Sequence, residues 1–430
     1  MSSLLLCSTP VHGHVTPLLA VARHLVAGGH RVRFLTGRRY RDAVEATGAE
    51  WLGLPDDADY DDTDMNASFP GRVGRKGPDG IRWDMREIFL KPAPAQLAAV
   101  DAAIAAEPVD AVIVETMFVG SLLFLVREGP RPPLITLGIV PLGVRSRDTA
   151  PFGLGVLPMP GALGRLRNKV LGFVAGNIIF GPVQKDAVAI AKQTTGADLT
   201  VPFLETSALA DALVQFTVPT FEYPRSDLPQ HVRFVGPVSR TTASSTPLPD
   251  WWGDLGSGTP IVHVTQGTVA NADFADLIDP TIDALAGDDV LVVVSTGGRP
   301  VPERDYPANV RIAPYLPYDK LLPLTDVYVT NGGYGGVHYA MEHGVPIVVA
   351  GRTEDKVEVS ARIDWSGVGI DLRTNTPTPA QVRAAVRRVL AEPSFRQRSA
   401  AIGRDILASP GLDGLDAVLA QVIARGATAR

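Results

Sequence analysis

The beginning of the chain alternates between short apolar runs and an amphipathic stretch. Residues 3–8 form an apolar run that predicts a buried strand, and residues 12–16 contain a glycine and predict a turn. Over residues 17–27 apolar side chains recur at helical spacing, Gly28 ends the pattern, and residues 31–36 predict a second strand. Because such crossover connections are right-handed and join parallel strands, the segment predicts one strand-helix-strand unit.

The same alternation continues through the rest of the chain. Further strands are predicted at residues 110–114, 134–138, 212–216 and 232–235, and then at 261–265, 290–295, 309–312, 327–330, 347–350 and 368–372. Helices of the second half are predicted near residues 274–286, 318–323, 334–343, 354–364 and 378–391. Strands that alternate with helices are typical of parallel sheets. The sequence therefore predicts an α/β fold of two doubly wound, Rossmann-like domains.

A polar, proline-bearing stretch at residues 239–250 separates the two runs and is typical of a linker. A chain of 430 residues is also long for a single core. We therefore predict an N-terminal domain at 1–238 and a C-terminal domain at 251–430, whose last helix could pack back on the first domain. Ligands of such folds bind beyond the carboxyl ends of the strands, here in the cleft between the domains.

Composition excludes several classes of protein. Hydrophobic residues make up 45% and charged residues 20% of the chain, which is the balance of a globular protein. The formal net charge of −6 gives no basis for binding nucleic acid or an anionic membrane. No window holds roughly 18 apolar residues without Gly, Pro or charge, so no segment is expected to span a bilayer, and no signal peptide is recognised. The single cysteine, Cys7, lies in an apolar run, which favours a cytoplasmic protein without disulfides.

The strongest chemical signal lies in the second half of the chain. Tyr315-Leu-Pro-Tyr318 is followed by a predicted strand, by the turn Asn331-Gly-Gly-Tyr-Gly-Gly336 and by His343-Gly-Val-Pro346. Glycines after a strand and before a helix let backbone N–H groups approach an anion, and the helix dipole adds to the attraction. The turn therefore predicts a phosphate site. It differs from the dinucleotide-binding pattern, whose glycines belong to the first unit of a domain.

This arrangement resembles the donor-binding signature of the family 1 glycosyltransferases, the large GT-B group that includes plant and macrolide enzymes. Tyr315-Leu-Pro-Tyr318 stands where the family has Trp-x-Pro-Gln, and Asn331-Gly-Gly333 stands at its His-x-Gly turn. Gly344-Val-Pro346 and Asp355-Lys356 stand at its close, and Phe234-Val-Gly-Pro-Val238 falls where the family leaves its first domain. The resemblance spans the whole chain and implies two Rossmann-like domains that face each other across a cleft.

The resemblance also implies how a nucleotide sugar is bound. Tyr315 would stack on the nucleobase, the amides after Asn331 would hold the diphosphate, and Asp355 would accept hydrogen bonds from sugar hydroxyls. The turn Gln266-Gly-Thr268 would close on the phosphates from the other side. The full expected donor set is Gln266, Gly267, Thr268, Tyr315, Leu316, Asn331, Gly332, Gly333, Gly335, Gly336, Tyr339, Glu354, Asp355 and Lys356.

Four positions of this set depart from the family pattern. Tyr315 replaces the family's Trp, Asn331 its phosphate-binding His, and Lys356 its sugar-binding Gln. The Glu that holds ribose hydroxyls aligns with Tyr339, although Glu342 lies nearby on the same predicted helix. Because these departures fall in the donor site, they leave open which sugar is bound and whether the base is uracil or thymine.

A second constellation, His12-Gly-His14-Val-Thr-Pro17, follows the first predicted strand. Its residue types fit a helix start with Thr16 as N-cap and Pro17 at the first helical position. Glycosyl transfer to a hydroxyl also needs a base, and histidine titrates in the right range. The resemblance gives this role to the His of Gly-His-x-x-Pro, which is His14 rather than His12. The two interpretations are compatible.

Such a base gains from a carboxylate that fixes its tautomer. In the family an Asp ends the strand after the first long insertion, and in this chain Glu115 follows Val112-Ile-Val at that place. Glu115 is therefore the expected partner of His14, although its side chain is one methylene longer than that of Asp. The alternative is a solvent-exposed acid at a strand end.

The acceptor is expected in loops of the first domain, because aromatic and proline-rich loops can build an apolar pocket. The candidate residues are Trp83, Phe89, Met117, Phe118 and Phe152, in the loops at 83–89, 117–118 and 149–163. Ordinary loop packing is the alternative for each of them. The acidic run at residues 56–64 resembles the carboxylate pair with which some sugar transferases hold a metal, but its charge density favours a solvated loop.

Together these features predict an inverting, metal-independent transfer of a hexose from a UDP- or dTDP-sugar to a hydroxyl of a small hydrophobic natural product, such as a phenol or a macrolide. No cofactor is expected beyond the nucleotide sugar, and no nucleic acid or membrane is expected as a partner. The chain is expected to be a monomer or a weak dimer. Two alternatives stay open: a sugar-nucleotide epimerase or hydrolase on the same fold, and a binding protein with a degenerate donor site.

Overall fold

A computed structural model of the chain describes residues 1–75, 77–238, 244, 246–268, 271 and 273–428. The strands of the first half are β1 (Ser3–Cys7), β2 (Arg31–Thr36), β3 (Glu50–Gly53), β4 (Ala111–Glu115), β5 (Leu134–Gly138), β6 (Ala212–Gln215) and β7 (Val232–Phe234). They form one parallel sheet in the order β3-β2-β1-β4-β5-β6-β7. The helices of this half are α1 (His12–Ala27), α2 (Arg41–Glu45), α3 (Met65–Ser68), α4 (Gly77–Asp84), α5 (Ala93–Ala106), α6 (Gly120–Val126), α7 (Gly161–Phe173) and α8 (Gly181–Thr195).

The second half forms another parallel sheet, in the order β10-β9-β8-β11-β12-β13. Its strands are β8 (Ile261–Thr265), β9 (Leu291–Ser295), β10 (Val310–Ala313), β11 (Val327–Thr330), β12 (Ile347–Val349) and β13 (Gly369–Asp371). Its helices are α9 (Ile278–Leu285), α10 (Tyr318–Leu321), α11 (Tyr334–Glu342), α12 (Lys356–Ser366), α13 (Pro379–Ala391), α14 (Pro393–Ala408) and α15 (Leu412–Thr428). The predicted doubly wound α/β fold is confirmed.

The apolar runs of the sequence become strands because helices cover both faces of each sheet. In β1, Leu4 and Leu6 pack into the core on one face, while Leu5 and Cys7 pack into the core on the other. All four side chains are buried. Burial, together with the nearby Glu115 carboxylate, raises the pKa of the Cys7 thiol and keeps it protonated.

The last helix, α15, returns to the first domain. Its apolar residues Leu415, Val418, Leu419 and Val422 belong to the same core cluster as β1 and α1. The amide of Gly411, just before the helix, donates to the carbonyl of Val235 at 2.6 Å. The end of the chain therefore ties the second domain to the first.

The first helix begins earlier than the sequence predicts. α1 starts at His12, so Thr16 is not its N-cap and Pro17 lies inside it. The amide of His12 donates to the carboxylate of Asp62 at 2.6 Å, which satisfies an N-terminal N–H group of the helix from a distant loop. The predicted glycine-containing turn is therefore the first turn of the helix. The prediction was wrong because a local pattern cannot reveal a cap supplied from elsewhere in the chain.

The acidic run at residues 56–64 is partly buried, which corrects the prediction of a solvated loop. The side chains of Asp59 and Asp62 are each 3% exposed. Asp59 pairs with Arg38 at 2.6 Å, and Asp62 pairs with Arg39. These two arginines follow β2 and neutralise the carboxylates, so the run anchors a loop on the first domain.

The predicted linker falls largely on residues 239–243 and 245, which lie outside the described residues. The first sheet ends at Phe234 and the second begins at Ile261, so the boundaries at 238 and 251 stay predictions. The short edge strand β3 was not predicted. Both end residues of β3 are exposed, and only Trp51 and Leu52 between them are half-buried, so the apolar run is too short to indicate a strand.

Within the described residues, one helical stretch, Gly77–Ala106, is long and apolar enough by length and composition to cross a membrane, and its most apolar 18-residue window has a mean hydropathy of 1.2. Its residues Leu90, Leu97 and Val100 pack into the core of the first domain, as those of a core helix do. The pair Pro393–Ala408 and Leu412–Gly426 passes the same test only when both are taken together across a 48° bend.

Candidate active site

Two adjacent strands of the first sheet bring a histidine and a carboxylate to one edge. β1 and β4 are neighbours, with Cys7 opposite Val114. α1 follows β1 and carries His14 in its first turn, and β4 ends at Glu115. Because the carboxyl ends of parallel strands meet at the same edge of a sheet, the two side chains converge there.

The two side chains are in direct contact. Nδ1 of His14 lies 2.8 Å from Oε2 of Glu115, which confirms the predicted contact. Glu115 also accepts the amide of Met117 at 2.6 Å and the amide of Thr9 at 3.1 Å. The Glu115 side chain is 0% exposed and that of His14 is 16% exposed, so the alternative of a solvent-exposed acid is wrong.

Each residue of the His14–Glu115 pair stabilises the charged form of the other. Burial alone would lower the pKa of His14, but the carboxylate of Glu115, with Asp355 and Glu354 farther away, raises it above its usual value. Burial alone would raise the pKa of Glu115, and His14 with two backbone amides lowers it instead. The site therefore stabilises an imidazolium beside a carboxylate, as a histidine base requires after it takes a proton.

His12 has a different environment from His14. Its amide contacts Asp62, and its Nε2 lies 3.4 Å from the hydroxyl of Thr16. Within the described part of the chain, the ring of His12 has no carboxylate partner. The structure therefore favours His14 over His12 as the base.

Four of the five predicted acceptor residues lie partly exposed in the first domain. The ring centroid of Phe89 is 6.4 Å from that of His14. Met117 lies two residues after Glu115, and its backbone amide donates a hydrogen bond to the Glu115 carboxylate. The ring of Phe152 covers Gly143, and Trp83 packs edge-on against another ring 6.2 Å away. Phe89 and Met117 are thus the acceptor candidates that adjoin the His14–Glu115 pair.

Phe118 is a correction to the predicted acceptor set. Its side chain is 0% exposed and belongs to the core cluster that contains Val114 and Leu122. The residue follows the end of β4 and opens the turn into α6, where an apolar ring packs under the sheet. The structure therefore does not bring Phe118 to the cleft.

The glycine turn of the second domain leads from β11 into α11. Gly332 has a φ of +90°, which favours glycine. Gly333 is the N-cap, and a methyl group added at Gly333 or Gly335 would meet no atom within 4 Å. Gly336 instead packs against the hydroxyl of Tyr328. The first turn of α11 therefore borders open space beside Gly333 and Gly335, at the positive end of a helix dipole, which suits an anion.

Asn331 is hydrogen-bonded to the loop after β8. Nδ2 of Asn331 donates to the carbonyl of Gln266 at 2.6 Å. The Gln266 side chain is 2% exposed, donates to the carbonyl of Asp273 at 2.8 Å and accepts the amide of Ile278 at 3.1 Å. This side chain is therefore occupied within the domain. Among the predicted residues of this loop, Thr268 is exposed and can face a ligand.

Tyr315 presents its ring to solvent and is 56% exposed. Its hydroxyl packs against Gly298, and a methyl group added at Gly298 would lie only 2.1 Å from the hydroxyl oxygen. Leu316 points the other way and is 7% exposed in a core cluster with Leu255 and Leu321. The ring of Tyr315 is thus free to stack on a planar ligand, whereas the side chain of Leu316 serves packing.

Sequence reasoning missed His263, a single histidine in the apolar strand β8. It is fully buried, its ring contacts the carbonyl of Val293 at 2.9 Å, and burial lowers its pKa to about 4. The ring of Tyr318 packs against that of His263, with their centroids 5.4 Å apart. The ring of Tyr339 packs on the Tyr318 ring in turn, with their centroids 6.2 Å apart. This group lies where the family signature has Gln and Glu.

The loop before α12 carries the predicted sugar contacts. Glu354 has a φ of +54°, a left-handed conformation that is strained for a residue other than glycine. Its carboxylate pairs with Lys356. Burial raises the pKa of Asp355, and both Asp355 and Glu354 raise that of His14. The structure therefore brings the predicted sugar loop of the second domain close to the predicted base of the first.

Within the described residues, one group of side chains could hold a metal ion, namely His24, Asp413 and Asp416. It joins α1 to α15 through a contact of 2.8 Å between His24 and Asp416. His24 lies ten residues after His14 on the same helix, which is about 15 Å along the axis. The group is therefore separate from the cleft.

Comparison with known proteins decides the family. Residues 280–418 match the family described as erythromycin biosynthesis protein CIII-like, C-terminal domain. The chain is 43% identical over 404 residues to 4'-demethylrebeccamycin synthase of Lentzea aerocolonigenes, covering 92% of this chain and 94% of that protein. It is 37% identical over 434 residues to UDP-glycosyltransferase 2 of Phaeomoniella chlamydospora, covering 96% and 94%. The chain belongs to the family 1 glycosyltransferases.

Solved structures show that this glycosyltransferase has the GT-B fold. The glycotransferase of kitacinnamycin superposes with a TM-score of 0.72 at 20% identity, covering 99% of this chain and 98% of that chain. The calicheamicin glycosyltransferase CalG4 superposes with a TM-score of 0.71 at 22% identity, covering 98% and 99%. The predictions of family, fold and enzyme class are confirmed.

Sequence reasoning about this glycosyltransferase also missed Tyr60. Its hydroxyl is buried and, within the described residues, has no hydrogen-bond partner. Burial and the nearby carboxylate of Glu115 raise its pKa well above the usual range. Its ring packs edge-on against Phe69 at 4.8 Å. The signal in the sequence was a single aromatic residue inside the acidic run.

Proposed function

We propose that this glycosyltransferase moves a hexose from a UDP- or dTDP-sugar to a hydroxyl of a small hydrophobic natural product, with inversion at the anomeric carbon. The observation that carries the proposal is the contact of 2.8 Å between His14 and Glu115, at the edge of the cleft that faces Asp355. A buried carboxylate that orients a partly exposed imidazole is the arrangement of a general base.

His14 would act through the nitrogen that Glu115 leaves unoccupied. With the proton of Nδ1 held by Glu115, Nε2 carries a lone pair that can take the proton of the acceptor hydroxyl. As the acceptor oxygen bonds to the anomeric carbon, the bond from that carbon to the phosphate oxygen breaks and the nucleoside diphosphate leaves. A single in-line displacement inverts the anomeric centre and forms no covalent intermediate on the enzyme.

The second domain would hold the donor. The amides of the first turn of α11, after Gly333, would bind the diphosphate and stabilise the charge of the leaving group. Because backbone donors and a helix dipole can neutralise this charge, we propose transfer without a metal ion. Tyr315 would stack on the base, and Asp355 would bind sugar hydroxyls opposite His14.

Relatives support the classes of donor and acceptor. One is named 4'-demethylrebeccamycin synthase, others are named UDP-glucosyltransferases, and the solved structure of VinC is described as a complex with dTDP. Two of the structural neighbours are the glycosyltransferases of calicheamicin and kitacinnamycin. We therefore propose a natural-product acceptor, held by Phe89, Met117, Phe152 and Trp83.

We further propose that the enzyme works in the cytoplasm, as a monomer or a weak dimer, with no cofactor beyond its nucleotide sugar. The buried, protonated thiol of Cys7 fits a reducing compartment.

Product analysis tests the proposed function. The protein is incubated with UDP-glucose or dTDP-glucose and a panel of hydroxylated aromatics and macrolides, and products are identified by mass spectrometry. We expect at least one acceptor to gain one hexose, with a β linkage by NMR from the α-linked donor. Conversion or hydrolysis of the sugar nucleotide at the same rate with and without every acceptor would contradict the proposal.

A further inference from the structure

A buried ionic network of Glu222, Arg225, Glu358 and Arg362 joins the two domains behind the cleft. Arg362 lies on α12 of the second domain and is 1% exposed. Its Nε and Nη2 donate to the two oxygens of Glu222, at 2.9 Å each, and Glu222 belongs to the first domain. Its Nη1 donates to Oε2 of Glu358, one turn earlier on α12, at 2.8 Å. One guanidinium therefore bridges a carboxylate of each domain.

The network is balanced in charge and makes further hydrogen bonds to the backbone. Two arginines face two glutamates, and each of the four side chains is at most 5% exposed. Glu222 also accepts the amide of Leu142 at 2.8 Å, and Arg225 donates to the carbonyl of the same residue at 2.8 Å. Because buried charges are costly unless every partner is present, this network favours one relative placement of the two domains.

Glu358 uses its other oxygen to hold the predicted acceptor loop, residues 149–163. Oε1 accepts the amides of Gly153 at 2.8 Å and Gly155 at 2.9 Å. Gly155 has a φ of +58°, and a methyl group there would lie 2.6 Å from the side chain of Val357. The loop therefore packs closely on the first turn of α12. Phe152, a candidate acceptor contact, lies directly before the first of these amides.

The same turn of α12 also adjoins the proposed sugar contact. The helix begins at Lys356, so Asp355 and Glu358 lie about one turn apart, on one rigid element. We propose that Glu358 is a positioning residue that fixes the acceptor loop on the donor domain, while the Arg362–Glu222 pair fixes α12 against the first domain. This inference rests on the proposed function, because it assigns the loop to the acceptor.

Glu358 is expected to affect binding of the acceptor and not binding of the donor. Loss of Glu358 frees the amides of Gly153 and Gly155, so the loop leaves α12 and the acceptor loses one wall of its pocket. The donor contacts proposed at Tyr315 and at the glycine turn do not touch Glu358. The KM for the acceptor should therefore rise while the Kd for the nucleoside diphosphate stays unchanged.

Steady-state kinetics of Glu358→Ala and Glu358→Gln test this. We expect the acceptor KM of Glu358→Ala to rise at least about tenfold, the size of one lost charge-assisted hydrogen bond, with little change in kcat at saturating acceptor. Glu358→Gln keeps one accepting oxygen and should restore part of the loss. The matched control is Asp405→Ala, which removes another interdomain contact, the hydrogen bond from Thr220 at 2.7 Å, that lies away from the loop.

Gly155→Ala gives a second test that leaves the buried charges intact. Its methyl group would collide with Val357, so it should raise the acceptor KM in the same direction even if Glu358→Ala fails to fold. An unchanged acceptor KM in a folded Gly155→Ala or Glu358→Ala enzyme would overturn the inference. So would an equal rise in the donor Kd, or an equal effect of Asp405→Ala. Failure of the unmodified enzyme to glycosylate any acceptor would instead refute the proposed function.

Discussion

Glu115 divides its two carboxylate oxygens between the backbone and the imidazole of His14. Oε1 accepts the amide of Thr9 at 3.1 Å, and Oε2 lies 2.8 Å from Nδ1 of His14. The amide of Met117 also binds Oε2, at 2.6 Å, so the carboxylate cannot rotate away from the ring. Glu115 therefore fixes the orientation of the His14 ring through Nδ1, and the proposed base is the other nitrogen, Nε2.

The pH dependence of activity should report this contact. The base acts in its neutral form, so kcat/KM should rise with pH through a pKa above the usual value of about 6.5, because Glu115 and the carboxylates of the sugar loop raise the pKa of His14. Glu115→Gln removes the strongest of these charges, and the rising limb should move to lower pH. Initial rates of both enzymes between about pH 5 and about pH 9 measure this shift. A limb that stays in place, or moves to higher pH, would contradict the assignment of His14.

Substitution of the glycine turn should weaken donor binding without unfolding the protein. Gly333 has a φ of −60° and open space at its Cβ position, so Gly333→Val fits the fold but fills the proposed phosphate site. We expect the affinity for UDP or dTDP to fall at least about tenfold in calorimetry. Gly172→Val is the control, since Gly172 also has open space and lies on α7 of the other domain. Equal affinities of Gly333→Val and the unmodified protein would reject the site.

Turnover should persist in excess chelator. The proposed diphosphate site relies on amides at the start of α11, and the buried carboxylates of Asp59 and Asp62 are already paired with arginines. Rates measured with and without EDTA, after prior removal of metals, give the comparison. Complete loss of turnover that magnesium or manganese restores would show that an ion takes part.

The interdomain network should be costly to break. Arg362→Met leaves Glu222 and Glu358 buried without their cation, and we expect the free energy of unfolding to fall by about 3–5 kcal/mol. Arg388→Met is the control, because Arg388 is 60% exposed and its pairing with Glu392 on the surface is screened by solvent and contributes little to stability. Urea unfolding of both variants measures the difference. Losses of equal size would mean that the buried network adds nothing to stability.

The sequence predicted the two sheets because strands buried on both faces leave continuous apolar runs. It also predicted the His14–Glu115 contact, since both residues follow strands that the resemblance places side by side. It misplaced the start of α1, because the cap at Asp62 lies 50 residues from His12. Local pattern carries no information about such a partner.

Other features of the site depend on tertiary packing alone. The inward orientation of Phe118 and of the Gln266 side chain follows from what surrounds them, and their residue types do not reveal it. The contact between Glu358 and Gly153 joins positions 205 residues apart in different domains. No motif in the sequence marks it, because a glutamate on a helix and a glycine in a loop are ordinary in isolation.

The turnover of His14→Ala with an aliphatic alcohol acceptor tests the central claim most directly. Such an acceptor keeps its proton at neutral pH, so its reaction needs the base, whereas easily ionised phenols need it least. We expect turnover to fall by about a hundredfold to ten-thousandfold, the usual range for general base catalysis, while the Kd for the nucleoside diphosphate barely changes. Full activity of His14→Ala towards the alcohol would contradict the mechanism.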